Sequence, residues 1–185
     1  MKTLLRSTMV LATFAMLLSG CARYQVTQPL EQSISQPAPI TIGAIQDQLP
    51  PETPDKKKPT MENIENFSTG LLKQLVKQKV AMESFSAEGD ARKFEVRGSI
   101  LAFKKGSGAV RFFIGFGLGD AKLTTQLELV ETSTGTTVFA GNFTGQVSDW
   151  SQTTGDKMWE NVAKDFAKAL KKQEKNLAKI AKTKS

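Results

Sequence analysis

The chain of 185 residues contains no histidine and a single cysteine, Cys21. Without imidazole, no Ser-His-Asp or Cys-His arrangement forms within the chain, and no His-bearing metal site exists. One thiol excludes an internal disulfide and a multi-thiolate zinc site. There is no G-x-S-x-G elbow and no dense Asp loop of the EF-hand kind. Gly115-x-Gly117-x-Gly119 misses the G-x-G-x-x-G dinucleotide spacing, and a strand pattern follows it rather than a helix. Gly106-x-Gly108, with Lys104, Lys105 and Arg111 nearby, is not a Walker A loop. The carboxylate pairs Glu128/Glu131 and Asp149/Asp156 fall on a strand face and in a polar loop, where solvated carboxylates are the ordinary outcome. The reading is non-enzymatic: no catalytic residues, no metal site and no soluble cofactor.

Proline is also missing from most of the chain. All seven prolines lie between Pro29 and Pro59, and none follows. Ahead of them, Lys2 and Arg6 precede an apolar run from Met9 to Leu18 broken only by Thr13. The run is about half of the roughly 20 residues that a bilayer span needs. Charged start, short apolar run and small residues are the layout of a secretory signal. Its end, Leu18-Ser19-Gly20-Cys21, resembles the lipobox of bacterial lipoproteins. The resemblance implies cleavage before Cys21, leaving residues 1–20 as the signal, with diacylglycerol on the Cys21 thiol and an acylated amino terminus. The only thiol of the chain lies at the one position where such a protein requires it. Ala22 rather than Asp after the cysteine implies, by resemblance to Gram-negative sorting patterns, the outer membrane, facing the periplasm.

Residues 21–59 are rich in Pro, Gln, Ser and Thr, a composition that predicts a disordered tether behind the lipidated Cys21. A flexible coil of this length reaches about 35 Å. Within it, Pro39-Ile40-Thr41-Ile42-Gly43-Ala44-Ile45 is apolar enough to dock as a short strand. Residues 60–185 form the expected single domain. Thr60 is a plausible N-cap for a helix running to about Lys79, with Ile64, Phe67, Leu71, Leu72, Leu75 and Val76 at three and four spacing. Strand patterns follow: Phe94, Val96, Ile100, Ala102, then Ala109 to Phe116, then Leu123, Thr125, Leu127, Leu129. Thr132-Ser133-Thr134-Gly135 marks a hairpin turn into the return strand of Phe139, Gly141 and Phe143. A last helix spans about Asp156 to Lys182, with Trp159, Val162, Phe166, Ala169, Leu170, Leu177 and Ile180 on one face. The order predicts an α+β, two-layer domain: a mainly antiparallel sheet of about four strands, both helices on one face.

The segment from Gly106 to Gly119 is the most unusual. With Gly98-Ser99-Ile100 upstream and Leu129-Val130-Glu131-Thr132-Ser133-Thr134-Gly135 downstream, it resembles a bacterial lipoprotein family catalogued only as a domain of unknown function. Glu131 stands where that family usually has Asp. The layout is also similar, at the level of fold, to the curli-secretion lipoprotein and the amino-terminal domain of TolB. Those are envelope proteins that act by binding other proteins. The glycines themselves suit bulges, bends and close backbone approach. Lys104, Lys105, Arg111 and Phe113 are the residues of this region assigned to partner contact.

Formal charge is +7. Removing Lys2 and Arg6 with the signal leaves +5, and the stretch from Asp156 onward holds nine Lys against four acids, so the excess belongs to the last helix. Most of those lysines keep its outer face soluble; anionic headgroups or an acidic partner are their other fit. Nucleic acid is not an expected partner of an exported protein. The function expected is a lipid-anchored, non-catalytic binder of an envelope protein. A subunit of an oligomeric secretion or envelope assembly and a carrier of a small apolar ligand are the alternatives, and the oligomeric state is left open.

Overall fold

The computed structural model of the chain describes residues 24–34, 36–82, 92–105, 121–147 and 154–184. In chain order these hold strands β1 (Tyr24–Gln28) and β2 (Ile40–Asp47), helix α1 (Met61–Lys77), strands β3 (Phe94–Lys104), β4 (Ala121–Glu131) and β5 (Thr137–Val147), and helix α2 (Thr154–Lys184). The class is α+β as expected, with five strands in the order β1-β5-β4-β3-β2. The sheet is mixed: β2 pairs in parallel with β3, and the other neighbours are antiparallel. A parallel neighbour needs a crossover, and α1 supplies it between β2 and β3.

The main correction concerns residues 21–59. Expected as a tether, this stretch contributes β1 and β2, the two edges of the sheet. Averaged composition hides what places it there. Leu30, Ile34, Ala38, Ile40 and Ile45 are all buried, spaced along an otherwise polar segment. Pro29, Pro39 and Pro50 lie just outside the strands, where their missing N–H costs no ladder bond. The parallel pairing is extended by a bridge from Ala38 to Ala81, beyond the end of α1. The apolar segment at Pro39–Ile45 was legible as a strand; β1 was not. The strand pattern at Ala109–Phe116 lies outside the described residues.

Helix α1 begins where its cap says. Thr60 Oγ1 accepts from the Asn63 N–H at 3.2 Å, and Asn63 Oδ1 accepts from the Thr60 N–H at 3.1 Å. It ends in a Schellman motif: the Lys79 N–H donates to Val76 O at 2.8 Å and the Val80 N–H to Leu75 O at 2.9 Å. Lys79 takes the left-handed position at φ 59°. Val80 turns inward and is fully buried. Buried Phe67, Leu71 and Leu75 confirm the periodicity read from sequence.

Both helices cover one face of the sheet. Along β4, Leu123, Thr125, Leu127 and Leu129 are fully buried while Lys122, Thr124, Gln126 and Glu128 alternate outward. Phe166 of α2 packs edge-on against Phe139 (5.8 Å) and Phe143 (5.3 Å) of β5. Trp159 bridges the layers, 5.1 Å from Phe67 of α1 and 5.8 Å from Phe103 of β3. The burial of α2 stops near Leu170, with Leu177 half-buried. Ile180, expected on the packed face, is 53% exposed because the helix has by then run past the sheet.

Close approach of α2 to the sheet depends on Gly145. A Cβ there would strike the Met158 carbonyl and lie 3.1 Å from Val162 Cγ2. The obstacle is helix backbone, which cannot swing aside as a side-chain tip can. Gly145→Val is therefore expected to destabilise the domain by about 3 kcal/mol, the upper end for overpacking. A urea-denaturation midpoint checks it; an unchanged midpoint would mean that α2 does not seat on β5 as described.

Candidate functional site

Three surface features follow from this fold. The first is a groove of about 480 Å³ between α1 and α2. Phe67 and Trp159 form its floor. Lys73 and Lys77 line the α1 side, and Asp156 and Glu160 the α2 side. Gln74, buried, donates to Glu160 Oε1 at 3.4 Å and links the two walls. Gly70 keeps the groove open, since a Cβ there would meet nothing within 4 Å. An aromatic floor between walls of opposite charge suits a peptide segment that carries both an apolar side chain and charges.

The second feature is the uncovered face of the sheet, polar and hydrogen-bonded to itself. Arg97 Nε donates to Glu95 Oε2 at 2.5 Å, Gln126 Nε2 to Glu128 Oε1 at 3.0 Å, and Thr137 Oγ1 to Glu128 Oε2 at 3.4 Å. Glu128 is thus occupied by neutral donors on a strand face. A shallow hollow of about 280 Å³ lies here, lined by Gln46, Arg97, Ser99 and Gln126 among others.

The third is a separation of charge along the strands. One end of the sheet carries Lys104 and Lys105 at the close of β3, both exposed, and Lys122 at the start of β4. The opposite end carries the C-terminal part of α2. There Lys172, Lys175, Lys179 and Lys182 are exposed. The single acid of that stretch, Glu174, is held by the Ser33 hydroxyl (2.8 Å) and the Ile34 N–H (2.5 Å). Lys171 donates to the Gln78 carbonyl and so ties α2 to the end of α1.

That far end is locked by Arg92. Its Nε donates to Glu131 Oε1 at 2.5 Å, its Nη1 to Ser33 O at 3.3 Å, and its guanidinium lies 5.3 Å from the centre of the Phe94 ring. Thr134 Oγ1 donates to Glu131 Oε2 at 3.0 Å, and the Gly135 N–H to Glu131 O at 2.8 Å. Gly135 has φ +69°, which a glycine adopts without steric cost. The Glu131-to-Gly135 motif is therefore a turn-and-latch structure. The hydrogen bond from Arg92 holds the Glu131 carboxyl below its ordinary range, helped by Thr134. The same bond raises Arg92.

Of the residues singled out in sequence, Cys21, Arg111 and Phe113 lie outside the described residues, as do Gly106–Gly119 and Asp149. Lys104 and Lys105 lie at one strand end, apart from the helix groove. The groove itself was not anticipated, because Phe67 and Trp159 were read only as core. Its sequence signal was Gly70, a glycine inside an otherwise regular amphipathic helix with no turn to make.

The chain belongs to the DUF4410 family, a domain of unknown function whose pattern matches residues 31–185. That span starts within the segment expected to be a tether and agrees with β2 being part of the fold. Among solved structures, a PelC variant from Paraburkholderia phytofirmans, crystallised as a dodecamer, has a TM-score of 0.54 at 14% identity, over 80% of this chain and 95% of that one. PelC itself, also a dodecamer, has a TM-score of 0.52 at 12% identity, with the same two coverages. A Xanthomonas campestris protein of the DUF330 family has a TM-score of 0.50 at 10% identity, over 82% and 96%. Among curated proteins, none matches the chain.

The latch sets a pH dependence. A carboxyl with a depressed folded pKa stabilises the fold above the ordinary glutamate range, and the stabilisation is lost as pH falls through the depressed value. Arg92→Met should therefore lower the melting temperature at pH 7, and the gap to wild type should narrow steadily below pH 4. Melting curves across this range check it. A gap that stays constant into acid would show that Arg92 acts through packing on Phe94 alone.

Proposed function

We propose that this protein is a lipid-anchored envelope lipoprotein, held by Cys21 at the outer membrane with its domain in the periplasm, and that it binds a protein partner rather than performing catalysis. The observation that carries this reading is the lipobox-like Leu18-Ser19-Gly20-Cys21, whose cysteine is the only thiol of the chain and lies three residues ahead of the first strand. Several acyl chains on one residue give firm anchoring, at roughly 0.8 kcal/mol per buried CH₂. The resemblance of the sequence layout to envelope proteins that act by binding other proteins supports the same reading. For the partner, the groove over Phe67 and Trp159 is the best-shaped acceptor, and the lysine-rich end of α2 offers charge for an acidic surface.

Labelled palmitate should enter the wild-type protein and not Cys21→Ala; equal labelling of the two sinks the anchor. Gly70→Trp brings a ring to the groove with no backbone clash at its Cβ, because nothing lies within 4 Å of a Cβ at position 70. It should reduce the envelope proteins recovered by crosslinking and pull-down at least tenfold, the equivalent of about 1.4 kcal/mol. Undiminished recovery by a folded Gly70→Trp removes the groove from the reading.

A second reading, a subunit of a ring-like assembly, is favoured by one observation. The PelC structures, similar in fold, are dodecamers. Here β1 and β2 each have one neighbour, which leaves two sheet edges among the described residues. Native mass of the chain from Cys21 separates the readings: a discrete ring supports the assembly, and a monomer at micromolar concentration opposes it.

A further inference from the structure

Resting on the Cys21 anchor proposed above, we infer that the domain stands on the bilayer with the Lys104/Lys122 end of its sheet against anionic lipid headgroups, and that the lysine-rich end of α2 points away from the membrane. The link from the anchor to the sheet is short. From Cys21 to Tyr24 there are three peptide units, which span at most about 11 Å. Tyr24 is not on a tether; it is paired with Phe143 in the sheet. Gln146, three residues along β5 from Phe143, is the partner of Lys122, and Lys122 is the partner of Lys104. Three residues are about 10 Å along a strand, and β1 to β4 is two strand spacings, also about 10 Å. Lys122 is therefore about 14 Å from Tyr24, little more than the span of the anchor link.

The pair has a chemical reason to face phosphate. Directly opposite like charges in an antiparallel ladder repel. Lys104 and Lys122 are such a pair, both exposed, and among the described residues no carboxylate accepts from either. Lys105 follows at once. Among the described residues, Asp47, at the end of β2, accepts from the Leu49 N–H at 2.9 Å, Asp55 is paired with Lys58 at 3.2 Å, and Asp156 and Glu160 line the helix groove. A phosphate between the two ammonium groups turns repulsion into two attractive contacts, and a membrane-anchored protein meets headgroup phosphates first.

The direction of α2 fixes the other half. Met158 and Val162 lie against Gly145, and Phe166 against Phe143 and Phe139, so the helix runs away from the Lys122 end. Lys179 is thirteen residues beyond Phe166, about 20 Å further along the axis. Its lysines then face the periplasm and a partner, not the bilayer that holds Cys21.

The test uses the chain from Cys21, since every described core contact lies at or after Tyr24. Its single thiol is coupled to a maleimide lipid in vesicles of phosphatidylethanolamine with phosphatidylglycerol, or of phosphatidylcholine alone. Lysine acetylation by acetic anhydride is then read residue by residue by mass spectrometry. Lys104 and Lys122 should label about fivefold more slowly on the anionic vesicles, corresponding to the roughly 1 kcal/mol that one lysine gains at such a surface. High salt should abolish the difference, and Lys179 and Lys182 should label equally on both. Equal labelling of Lys104 and Lys122 on the two vesicles overturns the inference, as does protection of Lys179 and Lys182 instead. The coupling is made in vitro, so either result leaves acylation of Cys21 in cells to be judged separately by palmitate labelling.

Discussion

The seating of α2 on β5 is the constraint on which the rest of the molecule depends. Gly145 removes the side chain that would hold the helix off, and Phe166 then reaches both Phe139 and Phe143. With α2 fixed, Trp159 is placed to bridge Phe67 and Phe103, which brings α1 onto the same face. The crossover through α1 then lays β2 parallel to β3. Both helices run opposite to β3 and β5, so the domain has two chemically different ends and two different faces. One face is a packed apolar layer. The other is a polar sheet surface whose charges are largely satisfied within it.

The proposed function draws on that polarity. At one end the chain arrives from Cys21 and the sheet shows Lys104, Lys105 and Lys122. At the other, Arg92, Glu131 and Ser33 lock the hairpin to the segment after β1, and α2 projects past the sheet with its lysines exposed. The groove between the helices opens on the side, bounded by Lys73 and Lys77 opposite Asp156 and Glu160. An anchored binding module needs a fixed end and an accessible surface. The two ends and the side groove suit the anchored module proposed above.

Much of the fold was legible from residue patterns, and the reasons for the rest are specific. Thr60 after Pro59, the three-and-four spacing of Phe67, Leu71 and Leu75, and the alternation from Leu123 to Leu129 are strong periodic signals, and each matches its element. β1 was hidden because Tyr24–Gln28 has only Tyr24 and Val26 facing inward, too few to stand out from a Gln-rich background. Its stability comes from pairing with β5, a contact more than a hundred residues away that no local pattern records. β2 was half visible in Ile40, Ile42 and Ile45. Ile180 continued the helical stripe but not the packing, because periodicity does not know where the sheet ends. Gly70 was the one local sign of the groove, and the charge arithmetic correctly put the basic excess on α2, without showing which way that helix points.

Height above the membrane tests the account most directly, because the tether read from composition and the docked strands found in the structure predict different distances. Neutron reflectometry on the lipid-coupled chain from Cys21 measures it. Protein density should begin at the headgroups and extend about 50 Å, close to the length of α2. A hydrated gap of about 35 Å between bilayer and domain, the reach of a free tether of that length, would contradict it.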